Sequence, residues 1–286
     1  AAAERLKSAL LTIPSNGTAA AAFRNNPWRS RIRGKTGSAQ RVDMRGEPRT
    51  DAWFLGEVIH GDYSAIVRDC GFDSLTQYEL WKAIWSSLND ANFHELAWSL
   101  TRHNDFMDTF VPMTFIGNHD VTRIASQLDD PEHVEHALTI LMTTGGTPSI
   151  YAGDESAYRG VKEERFGGDD AVRPEFSSPG EGVGEHGQQV YRTHQHLIGL
   201  RRRHPWLHEA RTESLRVTNE GLVYAARSGE HMLVVALNID DAPMPVSLPE
   251  LGIESGAVIA GSGAPPTEQL TDAVVPPHGW LVIAPR

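Results

Sequence analysis

The 286 residues carry 37 acidic against 26 basic side chains, a formal charge of −11. A phosphate backbone or an anionic membrane surface is therefore repelled on average, and no nucleic-acid partner is expected. A single cysteine, Cys70, excludes an internal disulfide framework and cysteine zinc clusters and suits a reducing, cytoplasmic compartment. No apolar run reaches the roughly 18 residues of a membrane helix, and no basic segment leads into a signal-type apolar stretch, so no membrane partner is expected.

Residues 1–50 differ in texture from the rest. After one short helical pattern they have little sustained period, and they are basic in an acidic protein, so they read as an irregular, unassigned segment. From Asp51 short apolar runs alternate with helical patterns, as repeated βα units on a parallel sheet require. "WFLGEV" is the first run. "SLTQYEL" at 74–80 reads as a second strand, followed by a helix with Trp81, Ile84, Trp85 and Leu88 on one face and continuing through Phe93, Leu96 and Leu100. "FVPMTFIGNHD" at 110–120 is the third run. Asp129-Asp130-Pro131-Glu132 then opens a helix whose buried stripe is Val134, Leu138 and Leu141. "TPSIYAGDE" at 147–155 is the fourth strand.

A Gly-rich, charged stretch from Tyr158 to Gln189 reads as a loop, and Val190, His194, Leu197 and Leu200 restore helical spacing until Pro205. Beyond residue 207 the period shortens to two in "LVYAARS", "HMLVVALN", "MPVSL", "AVIAG" and "GWLVIAPR". These strands predict a small antiparallel β-sandwich over 207–286, with the boundary near Trp206.

Three of the four early strands stop at glycine followed by polar residues. In parallel βα architectures the loops after the strands gather on one face, so Glu57, Asn118, His119, Asp120, Asp154 and Glu155 are expected at one rim. The adjacent glycines are expected to make room for a ligand.

"WFLGEV", "FIGNHD" and "GTPSIYAGDE", in this order and with helices between them, resemble three successive blocks of the α-amylase family of glycoside hydrolases. The likeness covers residues 51–206, and the following β-domain resembles that family's C-terminal domain. The resemblance implies an α/β fold in which 51–206 form the C-terminal half of a (β/α)8 TIM-type barrel. It implies a retaining glycosidase or transglycosylase acting on α-linked oligosaccharide or polysaccharide, with Glu57 as general acid/base. His119 and Asp120 would hold sugar hydroxyls and steady the positively charged transition state, with Asn118 beside them.

The chemistry of the residue types agrees. Glycosidic cleavage needs a carboxyl kept protonated by an apolar surround, which the residues about Glu57 supply, and an anionic group near the developing oxocarbenium ion. Trp53, Tyr63 and Tyr151 offer aromatic faces for pyranose rings, although aromatic residues are more often core and Tyr151 is expected to pack rather than to serve as a sugar platform.

The departures are as specific as the matches. The family's nucleophile lies in a "GFR-x-D" block, for which this chain offers only Arg41-Val42-Asp43. The interval from Asp43 to Glu57 is too short for a parallel crossover with its helix, and a turn aspartate explains Asp43 as well. Four more βα units of roughly 30 residues would be needed for a full barrel, so the sequence reads as the C-terminal portion of a longer enzyme. An open barrel edge would invite self-association. The alternative is a catalytically inactive remnant that binds glycan or only packs.

Asp154 and Glu155 are expected to organise their loop rather than perform chemistry. His194 and His196, two apart on a helix, do not face one ion, and neither a metal ion nor a cofactor is expected.

Overall fold

The computed structural model describes residues 53–173, 175, 183–263 and 269–286. The chain divides into two compact units, Ala1–Leu75 and Thr76–Arg286.

In the first unit, strand β1 (Leu55–Gly56) pairs in parallel with β2 (Ser74–Leu75). Helix α1 (Tyr63–Cys70) connects them, an element that sequence periodicity did not reveal. Asp62 caps its first turn by accepting from the Ala65 N–H, and Gly71 closes it in the left-handed conformation. A Cβ on Gly56 would lie 2.6 Å from a Leu75 methyl and 3.0 Å from the Phe72 ring. The space beside this glycine is therefore taken by packing neighbours and not left for a ligand.

The second unit opens with α2 (Tyr78–Asn89), followed by α3 (Phe93–Met107). The expected strand over 74–80 is shorter than its sequence pattern. The Gln77 side chain accepts from the Glu79 and Leu80 N–H groups, and so starts the helix at Tyr78. The single long helix expected through Leu100 is two helices, broken where Ala91 takes a positive φ of 46°. Strand β3 (Met113–Phe115) lies parallel to β4 (Thr147–Ser149), with the short α4 (Ile124–Gln127) and then α5 (Val134–Thr143) between them. Asp130 accepts from the Glu132 N–H and Pro131 starts the turn that leads into α5. All ten residues of α5 are buried, not only the stripe through Val134, Leu138 and Leu141.

Helix α6 (Glu185–Arg203) begins five residues before Val190, inside the stretch expected to be loop. Near the end of this helix the Arg201 guanidinium donates to the carbonyls of Met142, Thr144 and Gly146, satisfying the C-terminus of α5.

Next come β5 (Arg211–Val217), β6 (Gly221–Ser228), β7 (His231–Asn238), β8 (Met244–Ser247), β9 (Gly256–Gly261), β10 (Asp272–Val275) and β11 (Gly279–Pro285). They form an antiparallel sheet in the order β5-β6-β7-β11-β9 and a β8-β10 ribbon. Strands β5 and β10 lack a clear apolar alternation and escaped sequence reading. One sheet face, with Leu222, Tyr224, Leu233, Val235, Leu237 and Val282, shares a core with α2, α3, α5 and α6. The other, with Val223, Val234, Ala236, Leu281 and Ile283, is covered by Val246, Ala273 and Val275 of the ribbon. The period of two thus sorts residues between two buried layers.

The architecture is α/β, with parallel strand pairs and a separate antiparallel sheet; among the described residues no closed barrel is formed. No helix of the described residues is long and apolar enough to cross a membrane.

Two buried histidines tie these layers together. The Nε2 of His136 on α5 lies 3.0 Å from both the Asn238 and the Gly279 carbonyls. The Nε2 of His103 on α3 lies 3.1 Å from the Gly145 carbonyl. Carbonyls only accept, so each Nε2 carries the hydrogen.

Burial lowers the pKa of both imidazoles, to about 4 in each case. The unfolded chain takes up these protons from about pH 6.5 downward, before the folded chain does, so the contribution is whole above that pH and is lost as pH falls toward 4. The unfolding free energy obtained from urea titrations is expected to fall across this window, by up to roughly 3 kcal/mol per histidine. His136→Gln, which keeps a donor but does not titrate, is expected to flatten the slope; an unchanged slope would refute the assignment.

Candidate active site

The rim after β3 is built by a tight polar turn. Asn118 accepts from the Asp120 N–H at 2.8 Å through its Oδ1 and donates to the Tyr78 hydroxyl at 2.9 Å. Tyr78 is held edge-on against Phe115 and Trp81. The sequence Asn118-His119-Asp120 is thus fixed at the carboxyl end of a strand, with Asn118 and Asp120 partly buried and His119 exposed.

The residues that follow fasten a second segment over this turn. Thr122 Oγ1 accepts from the Lys162 N–H and Ser126 Oγ from the Gly160 N–H. The Lys162 ammonium then pairs with the Asp120 carboxylate and donates to its carbonyl at 3.0 Å. Arg173 lies 3.7 Å from the same carboxylate and 2.9 Å from Asp169, and donates to the His119 carbonyl at 2.7 Å. The hydrogen bond to Asp120, with the charges of Asp120, Asp169 and Glu164, raises the pKa of Lys162. Lys162 and Arg173 come from the glycine-rich stretch, and sequence reading gave neither a role because their partners lie about forty and fifty residues away.

Beneath the turn is a buried ion pair. Arg123 Nη1 donates to Asp154 Oδ1 at 2.8 Å, with both side chains only 1% exposed. The guanidinium also donates to the Ala152 carbonyl at 2.7 Å and, from Nε and Nη2, to the Val172 carbonyl at 3.1 and 2.8 Å. It lies over the Tyr151 ring at 4.1 Å and near the Tyr158 ring at 5.3 Å. Burial pushes the Asp154 carboxyl up to about 6, against the pull of Arg123. Asp154 Oδ2 has no hydrogen-bond partner among the described residues and lies against Gly117, where a Cβ would meet it at 2.1 Å. Gly117 therefore makes room for a structural carboxylate, not for a ligand as expected. Tyr151, read as a possible sugar platform, stacks on the arginine.

In the other unit Glu57 directly follows β1 and is exposed, flanked by Trp53 at 53% exposure and by exposed Leu55 and Ile59. Tyr63 is 1% exposed and its hydroxyl donates to the Ile59 carbonyl at 2.9 Å, so its ring packs inward and presents no face to a sugar. Arg41 and Asp43 lie outside the described residues.

The sequence profile of the alpha amylase catalytic domain matches residues 42–214, more than half of the chain. The chain belongs to the alpha-amylase family. It is 33% identical over 126 residues to a cyclomaltodextrin glucanotransferase of Geobacillus stearothermophilus, covering 44% of this chain and 16% of that protein. It is 26% identical over 202 residues to that of Paenibacillus macerans, covering 68% and 26%. Among solved structures, the alpha-amylase from H. orenii superposes with a TM-score of 0.67 at 20% identity, covering 85% of this chain and 54% of the other. AmyP in complex with maltose superposes with a TM-score of 0.69 at 13% identity, covering 81% and 55%. This family member therefore spans about a quarter or less of those curated relatives and about half of those solved chains.

The buried pair has a measurable consequence. Removing one partner of a buried ion pair strands the other charge at about 3–5 kcal/mol. Asp154→Ala is expected to lose that much in urea unfolding, and Arg123→Met in the same chain to recover part of it. Strictly additive losses would show that the two groups do not act as a pair.

Proposed function

We propose that this alpha-amylase-family chain carries part of the machinery of a retaining enzyme that hydrolyses or transfers α-linked glucan. What carries the reading is the family match together with the Asn118-His119-Asp120 turn held rigidly at the end of β3. In it, Glu57 at the end of β1 protonates the glycosidic oxygen of the leaving group and later deprotonates the incoming water or sugar hydroxyl. Asp120 supplies negative charge to the oxocarbenium-like transition state, and His119 and Asn118 contribute hydrogen bonds to sugar hydroxyls. Trp53, exposed beside β1, offers a ring face to a pyranose. Asp43 is the sequence's candidate nucleophile. The names of the relatives, cyclomaltodextrin glucanotransferase and alpha-amylase, support an α-linked glucose polymer as the substrate class.

A second reading rests on a specific observation: the carboxylate of Asp120 is already paired with Lys162 and faced by Arg173. Cations there offset the negative potential that a developing oxocarbenium ion needs. A chain in this arrangement would bind α-glucan without turning it over.

One experiment separates the two. The chain is assayed for release of a chromophore from a maltooligosaccharide, and for maltooligosaccharide binding by calorimetry. In the first reading Glu57→Gln and Asp120→Asn each lower kcat by roughly 10²–10⁴-fold while the fold and binding persist. Binding without turnover in the correctly folded chain supports the second. Activity unchanged in Glu57→Gln would remove the acid/base assignment.

A further inference from the structure

A cluster of nitrogen and oxygen donors lies where the turn before α5 meets the turn before β11, away from the rim after β3. His133 Nε2 and His278 Nδ1 are 3.1 Å apart. Asp130 Oδ2 lies 3.9 Å from the first and 3.8 Å from the second. The carboxylate is too far from either ring to hydrogen-bond, while its other oxygen is engaged by the Glu132 N–H at 2.9 Å. A hydrogen bond between the rings accounts for one edge of this triangle and leaves the other two unexplained.

A common ion accounts for all three. The point equidistant from the three atoms lies about 2.1 Å from each, within the range of zinc–imidazole and zinc–carboxylate bonds. One further feature belongs to metal sites. His278 Nε2, its other ring nitrogen, is 2.9 Å from Asp241 Oδ1, the carboxylate partner that orients a ligating imidazole and strengthens it as a donor. His278 also takes a positive φ of 46°, and its ring stacks on that of His133 with centroids 5.3 Å apart.

We propose that Asp130, His133 and His278 form a binding site for one divalent transition ion of the zinc class, oriented by Asp241 and completed by solvent on the open side. Two imidazoles and one carboxylate suit zinc, and cobalt or nickel by the same donor set, rather than calcium or magnesium, which take oxygen ligands. The site joins two segments about 145 residues apart, so the ion acts as a staple between α5 and the antiparallel sheet. Sequence reading missed it because it weighed histidines by their spacing along one helix, whereas these ligands meet only in the folded chain.

The test uses the full chain, stripped of metal with a chelator and titrated with zinc near neutral pH by calorimetry, with cobalt as a spectroscopic substitute. One zinc per chain, a rise in Tm on addition and the intense visible bands of a low-coordinate cobalt centre are expected. Asp130→Asn, which keeps a side-chain acceptor for the Glu132 N–H, and Asp241→Asn, exposed at the surface, are expected to preserve the fold and weaken zinc binding by roughly 10–100-fold. His278→Asn should abolish binding, and if that chain does not fold the two aspartate variants decide. No saturable binding at roughly millimolar zinc, or unchanged affinity in both aspartate variants, would overturn the site.

Discussion

The arrangement of the β3 rim depends on one buried contact, the ion pair between Arg123 and Asp154. Taking both charges out of water is costly, and such a pair alone contributes little net stability. Here the backbone supplies the compensation. The carbonyls of Ala152 and Val172 accept from the same guanidinium, and two tyrosine rings flank it. The contact is therefore better understood as fixing positions: it holds the segment after β3, the segment after β4 and the turn at Val172 in a single geometry. Gly117 is required for the same reason, since any side chain there would collide with the Asp154 carboxylate.

That geometry sets the electrostatics above it. Lys162 and Arg173 are carried by the segment that Arg123 anchors, and both face Asp120. These groups are partly exposed, so solvent screens them and the pairs add little to stability. Their importance is local. In the glycosidase reading a sugar must compete with Lys162 for the Asp120 carboxylate, so the loop from Tyr158 to Arg173 would tune the site from outside the family's recognised blocks.

The antiparallel sheet follows a different physical rule. With one face in the helical core and the other under the β8-β10 ribbon, its central strands are apolar over most of their length, and Asn238 is buried with its carbonyl facing His136. The buried imidazole of His136 adds directed hydrogen bonds between α5 and the sheet, beside those of Thr143 with Tyr224 and of Trp280 with Glu135. His103 and His136 are legible in the sequence only as histidines; their neutrality comes from the dry surroundings that folding creates.

The sequence by itself determined the family, the alternation of short strands and helices followed by a run of strands, and the identity of the polar groups at the strand ends. Those features are local: a hydrophobic period, a proline, or a short block such as "FIGNHD" is complete within a few residues. The tertiary structure decided what each polar group touches. It turned Tyr63 inward, committed Asp154 to Arg123 and placed Lys162 on Asp120. It also brought Asp130, His133 and His278 within reach of one another. Burial and charge pairing between residues tens to more than a hundred positions apart arise only when the chain is packed, because no period along the sequence records which surfaces will meet.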